Sequence, residues 1–420
     1  MALDVLRRVL PNGLTILTAR NRLIPAVSMA LGVRAGGSAD PAGAEGTAAL
    51  TARVLDKGTA RFDADAIADQ LEGCGASLGV GAGRQQIVVN ATCLVDDIGA
   101  VLPVACDVAR HPSFPAHEVA TRRAELLTAI LEAADDPGSV AVDALNETLY
   151  PGGHPLGRPV RGTSASVARL DRDALTAFHR RHFTPGATIA VAVGDLPADD
   201  LADRLAAECA GWTGAAADVP TLPTPDARHE RALVVRAMPD KAQADVAYGF
   251  VGLTRRDPDY YAALVMNNAL GQYALGGRLG DSIRERQGMA YYVYSGLDAG
   301  LDAGPIMVRA GVSAANVERT IASIDFELAT ILRDGFTRAE VDDAKRYLIG
   351  SLPRQLETNA GIAGFLLSLE TYGLGVDHDQ RLPQHIGAVT FDDVMRVAHR
   401  LLDPARAVVV VAGPWSGPAA

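Results

Sequence analysis

An internal echo constrains this chain more than any other feature of its sequence. Ser28-Met29-Ala30-Leu31-Gly32-Val33-Arg34 is a largely apolar run that reads as a strand, followed by a turn that reaches Asp40-Pro41. Roughly 217 residues later Asp245-Val246-Ala247-Tyr248-Gly249-Phe250-Val251 leads to Asp257-Pro258, and so long a period signals duplication. A second pair matches at a separation of about 219: Thr184-Pro185-Gly186 running through Ile189 to Gly194-Asp195, then Asp403-Pro404 running through Val408 to Gly413-Pro414. Each is a turn, a β-branched strand and a glycine stop. Helical patterns fill the intervals, at 64–71 and 96–110 in the first half and at 317–334 and 338–352 in the second. The last is expected to stop at Pro353, and Thr337 and Thr390 stand at N-cap positions. The fold class is therefore α+β, two structurally similar mixed α/β domains joined by a linker. The small, proline-rich stretch from Gly214 to Asp226 sets the boundary near residue 220. This gives domains at 1–215 and 228–420, with the linker at 216–227.

Length agrees, since 420 residues exceed one ordinary core and suggest two to four domains. An apolar content of 48% with 21% charged residues excludes a disordered chain, and no run approaches the ~18 apolar residues of a membrane helix. The formal charge of −11 would repel a polyanion, so nucleic acid is excluded as a general partner. That charge suits a basic or neutral peptide. Cys74, Cys93, Cys106 and Cys209 lack metal or disulfide spacing and read as buried free thiols. The first residues lack a secretory pattern, so a cytoplasmic location is expected, without membrane attachment.

The segment from Gly46 to Thr59 reads Gly46-Thr47-Ala48-Ala49-Leu50-Thr51-Ala52-Arg53-Val54-Leu55-Asp56-Lys57-Gly58-Thr59. Around it, in order, stand Leu10-Pro11-Asn12-Gly13, Gly36-Gly37-Ser38-Ala39-Asp40-Pro41, Gly153-His154-Pro155-Leu156-Gly157, His182-Phe183-Thr184-Pro185-Gly186, Thr358-Asn359-Ala360-Gly361 and Tyr372-Gly373-Leu374-Gly375. Collinear, these motifs resemble the pitrilysin/insulinase family of zinc peptidases, in the branch of mitochondrial processing peptidase, and imply its two-domain metallohydrolase fold. In that family G-x-x-H-x-x-E-H-x-x-x-K-G-T holds zinc on one helix. The resemblance puts Ala49 and Arg53 at two ligand positions, Ala52 at the general base, and Ala129 at a third ligand, counted back from Asp135-Asp136-Pro137. Positions 49 and 53 are i and i+4, so two imidazoles there would reach one ion. A methyl and a permanently charged guanidinium without a lone pair cannot. Glu125 and Glu132, three or four residues from Ala129, read as a solvated helix face.

The stretch Asp281-Ser282-Ile283-Arg284-Glu285-Arg286-Gln287-Gly288-Met289-Ala290-Tyr291 resembles the family's segment in which an arginine and a tyrosine contact the substrate backbone. Arg284 and Tyr291 fall on those positions. Taken without that resemblance, Arg284 reads as a surface ion-pair residue and Tyr291 as core. Gly271, Gly276, Gly277 and Gly280 read either as a peptide-guiding loop or, preferably, as the turn before a helix. His179 and His182 share a helical face, but two ligands without a third seldom hold zinc.

These readings imply a chain inactive alone, without metal or cofactor of its own, that pairs with a zinc-bearing paralogous subunit. Together the two would cleave small unfolded or leader peptides, this chain lending Arg284, Tyr291 and half of a closed chamber. The alternatives are a non-proteolytic scaffold of the same fold, or a free-standing peptidase with unrecognised ligands.

Overall fold

The computed structural model describes residues 3–214, 222–225, 229–272 and 276–417. Apart from 222–225, the expected linker lies outside them. Among the described residues eleven strands form two sheets: β1 Val5–Val9, β2 Thr15–Arg20, β3 Ala26–Val33, β4 Ser77–Ala82, β5 Ile87–Leu94, β6 Thr188–Gly194, β7 Ala232–Ala237, β8 Ala244–Val251, β9 Ala290–Leu297, β10 Pro305–Val312 and β11 Val408–Gly413. The first sheet runs β1-β2-β6-β3-β5-β4 and the second β7-β11-β8-β10-β9. Without β1 the two orders superpose term for term, including the single parallel pair, β2 with β6 and β7 with β11. The duplication in the sequence is thus a duplication of topology.

The chain divides into two compact units, neither of them contiguous. The first holds Met1–Ile130, Pro159–Thr221 and Leu352–Gln380, and the second Leu131–Arg158, Leu222–Ser351 and Arg381–Ala420. Each sequence half therefore cedes one helix. In the first unit the helix Asn359–Tyr372 lies on β3 and β6, and in the second Pro137–Leu149 lies on β8 and β11.

Strand alternation explains how these helices are seated. In β3, Val27, Met29, Leu31 and Val33 join the main core of the first unit, so Ser28, Ala30 and Gly32 line the other face. A Cβ on Gly32 would lie 2.5 Å from Cδ1 of Leu367. In β8, Val246, Tyr248 and Phe250 enter the second unit's main core, while Ala247 joins Ala141, Ala144, Leu145, Leu149, Val408, Val410 and Ala412 on the opposite face. Here Gly249, about 217 residues beyond Gly32, would put a Cβ 2.8 Å from Cδ2 of Leu145. Small residues on one strand face thus let a helix approach closely enough to bury its leucines, each contributing about 2 kcal/mol. Both helices are capped: Thr358 accepts from Gly361 N at 3.0 Å and Asp136 from Ser139 N at 2.7 Å. Asn359 ties its helix to β3 by donating to Ala26 O at 2.8 Å.

Other elements follow the sequence closely. The helix Val317–Asp334 has the expected bounds, and Thr337 and Thr390 each share reciprocal capping bonds, with Glu340 and Asp393. Pro353 does not stop its helix, which runs Arg338–Gln355. The proline sits in the last turn, where its missing N–H forgoes one bond and only two residues remain to be carried. All four cysteines are free, and three of them are buried. No described helix is long and apolar enough to cross a membrane.

Candidate functional site

In the first unit the helix Thr47–Val54 keeps a well-built frame. The buried Asp40 carboxylate accepts from Gly46 N at 2.7 Å and Ala48 N at 2.8 Å, satisfying two otherwise free donors at the helix start. Gly46 adopts φ +94°, and a side chain there would meet Val167 Cγ2 at 2.7 Å and Arg161 O at 2.8 Å. Gly58, φ +145°, closes the segment. The helix packs on Arg172–His182, whose two histidines both serve packing. His179 shares a hydrogen bond with Ala109 O at 2.9 Å and stacks on Phe183, and burial pushes its pKa down to about 4. His182 is buried against Phe178.

On this frame Ala49 is half-buried, Ala52 is buried and Arg53 is exposed. Ala129 is half-buried on the helix Ala116–Asp135, where Glu125 pairs with Arg122 at 2.7 Å and Glu132 is exposed. Among the described residues no three His, Cys, Asp or Glu side chains gather into a metal-holding group. A zinc ion does not fit the donors at 49, 52, 53 and 129, because methyl groups and a guanidinium offer no lone pair.

In the second unit the sheet ends at β9, whose outer edge no described strand covers. Val312 of β10 faces Ala290 and Gly311 faces Tyr292, so Tyr291 is the extra residue of a β-bulge. The bulge turns its ring outward to 81% exposure, so Tyr291 is not the core residue its type alone suggested. Tyr292 crosses Gly311, where a Cβ would lie 2.5 Å from its Cε1, and donates to Asp245 at 2.6 Å. Burial and then that bond hold its hydroxyl well above the usual phenol range. Arg309 completes the network, with Nη2 3.0 Å from Asp245 and Nη1 3.2 Å from the Tyr294 hydroxyl.

Along β9 runs a cavity of about 390 Å³, lined by Tyr292 to Gly296 on the strand side and by Gln272 and Arg284 on the other. Both come from irregular helix. Tyr260–Asn267 continues into Asn268–Gln272, where the helix breaks at Gly271 (φ 171°, ψ 15°), and Arg284 lies on a π-helical segment, Gly280–Arg286. Such π segments are rare and recur at functional sites. Buried Asn267 donates to Gln272 Oε1 at 3.2 Å and its backbone carbonyl accepts from the Ser295 hydroxyl at 3.0 Å, while its own Oδ1 has no partner among the described residues. Gly271 sits where a Cβ would come within 3.3 Å of Ser295 N. Gly277, φ +81°, makes the expected turn before the helical segment, and residues 273–275 lie outside the described set. Arg284 is one-third exposed, its Nε 3.3 Å from Glu285. The sequence singled out Arg284 and Tyr291. It missed Gln272, Asn267 and the bulge; Gly311 opposite the tyrosine run was the available signal.

Residues 15–164 match the family model described as insulinase (peptidase family M16), and residues 169–348 the model described as peptidase M16 inactive domain. An uncharacterized zinc protease of Mycobacterium leprae is 30% identical over 98% of this chain and 92% of its own length. The crystal structure of a peptidase M16 inactive domain from Pseudomonas fluorescens has a TM-score of 0.91 at 29% identity, covering 99% of both chains. A Helicobacter pylori protein named non-peptidase homolog YmxG is 25% identical over 90% of this chain and 87% of its own. With both family models in sequence and relatives matched nearly end to end, the chain belongs to peptidase family M16, the insulinase family.

Proposed function

We propose that this chain is the non-catalytic subunit of a heterodimeric zinc metallopeptidase, paired with a zinc-bearing paralogue in the cytoplasm. The observation that carries this is the groove along the uncovered edge strand β9, lined by Arg284, with a bulge at the start of that strand that presents Tyr291 to solvent. The donor-less frame at Ala49, Ala52, Arg53 and Ala129 supports it. A short unfolded or leader peptide adds to β9 as a further strand. The Arg284 fork donates to a peptide carbonyl, and the Tyr291 hydroxyl donates to the carbonyl oxygen as negative charge develops there. This chain's contribution is orientation and charge stabilisation, and the metal belongs to the partner.

The test is co-expression with a zinc-motif homologue, co-purification and peptide cleavage. The double variant Arg284→Ala/Tyr291→Ala is expected to lower turnover by about 100-fold or more with the pair intact. Unchanged turnover by an intact pair would favour the second reading, a non-proteolytic scaffold. That reading draws support from the name of the Helicobacter pylori relative, which denies peptidase activity to that protein.

A further inference from the structure

We infer that the groove along β9 selects a carboxylate in the docked peptide, held between the Gln272 amide and the Arg284 guanidinium. The inference rests on the reading that a peptide adds to this edge, and it names the chemistry the edge prefers.

An added strand satisfies its backbone against the free edge of β9, so its selectivity comes from the wall facing that edge. In this groove the wall is Gln272 and Arg284. The Gln272 amide pairs with that of Asn267, a residue with 0% exposure on a helix turn pinned by Ser295; with Oε1 assigned as the acceptor in that pair, the Gln272 NH2 is the group left for a ligand. Arg284 uses Nε toward Glu285, and its Nη groups have no partner among the described residues. The wall therefore offers donors only, one of them charged.

The strand side adds no competing anion. The carboxylates near the tyrosines are already engaged, Asp245 by Tyr292 and Arg309, and Asp136 by Ser139 N beside Arg309. Among the described lining residues none is acidic, and Arg284 is the one charged group. Glu285, 56% exposed, compensates it weakly through solvent. A carboxylate placed there gains charge-assisted bonds from two directions, a neutral amide gains ordinary ones, and an ammonium meets donors it cannot use.

The experiment titrates the full-length chain with fluorescent ten-residue peptides that differ only in a central Asp, Asn or Lys, each made with a free and an amidated C-terminus. Asp is expected to bind about tenfold tighter than Asn, and Lys weaker than both. A gain of similar size that follows the free C-terminus instead supports the same carboxylate chemistry with the chain end as its source. Gln272→Glu, which places an anion in the wall, should reverse the Asp–Lys order. Equal binding of all three peptides, unmoved by Gln272→Glu but abolished by Val293→Pro on the edge strand, would overturn the inference and leave edge docking standing. Absence of any peptide binding would sink both.

Discussion

The helix Thr47–Val54 and the neighbourhood of β9 differ in what their geometry serves. The first is regular, capped by a buried carboxylate and framed by glycines, and its Ala49, Ala52 and Arg53 side chains offer no lone pair to a metal. The second carries a helix kinked at Gly271, a π-helical segment, a buried amide oxygen without a partner among the described residues and a bulge that lifts a tyrosine into solvent. Packing alone explains the first region, because the unit needs that helix whether or not it holds an ion. The second also feeds the core, through Leu270, Ile283 and Val293, but leaves a polar-lined groove along its strand. Irregularity of this kind recurs at functional sites, which is why the proposed function is placed there.

This contrast can be broken most forcefully at Asp40. If the metal-less helix is structural, Asp40→Ala should cost about 3 kcal/mol in denaturant unfolding, by stranding two amide donors in a buried place. Next comes pH. His179 is neutral in the folded chain, with its pKa lowered to about 4 against about 6.5 unfolded. Below pH 6.5 the unfolded chain takes up a proton that the folded one refuses, so stability falls with pH until about 4. The loss between pH 7 and pH 5 should be about 2 kcal/mol in the urea midpoint series, and His179→Gln should flatten it. Smaller still, Gly32→Ala and Gly249→Ala should each cost about 1 kcal/mol by pushing on Leu367 and Leu145, and similar values would confirm that the two seats are equivalent. Tyr291→Ala should leave stability within about 0.5 kcal/mol, because its ring touches little, while still reducing turnover of the reconstituted pair. A large loss of stability at Tyr291 would erase the distinction between the two regions.

Much of the architecture was legible because it rests on local rules. The apolar runs at 28–34 and 245–251 became the central strands β3 and β8, and Thr337 and Thr390 capped as their neighbours Glu340 and Asp393 allow. Pro353 misled, since a proline in a last turn breaks almost nothing. The reassignment of Pro137–Leu149 and Asn359–Tyr372 to the other half's sheet was invisible, because an apolar helix face does not say which sheet it covers. The glycines that seat them, Gly32 and Gly249, read as ordinary strand residues until Leu367 and Leu145 were placed over them. The bulge at Tyr291 was hidden for a related reason: an extra residue exists only by reference to the strand opposite. Gln272 was missed because its importance comes from Asn267, which holds its amide.

The ceded helices also set a schedule for synthesis. The first sheet is complete in the growing polypeptide once Gly194 has emerged, but the helix that covers Ser28, Ala30 and Gly32 ends at Tyr372. At roughly 5–20 residues per second the ribosome leaves that face bare for about 10–35 seconds, long against the collapse of a chain this size. The nascent protein therefore spends about two-fifths of its translation with that sheet face uncovered, and a chaperone that shields apolar sheet surface should set its yield.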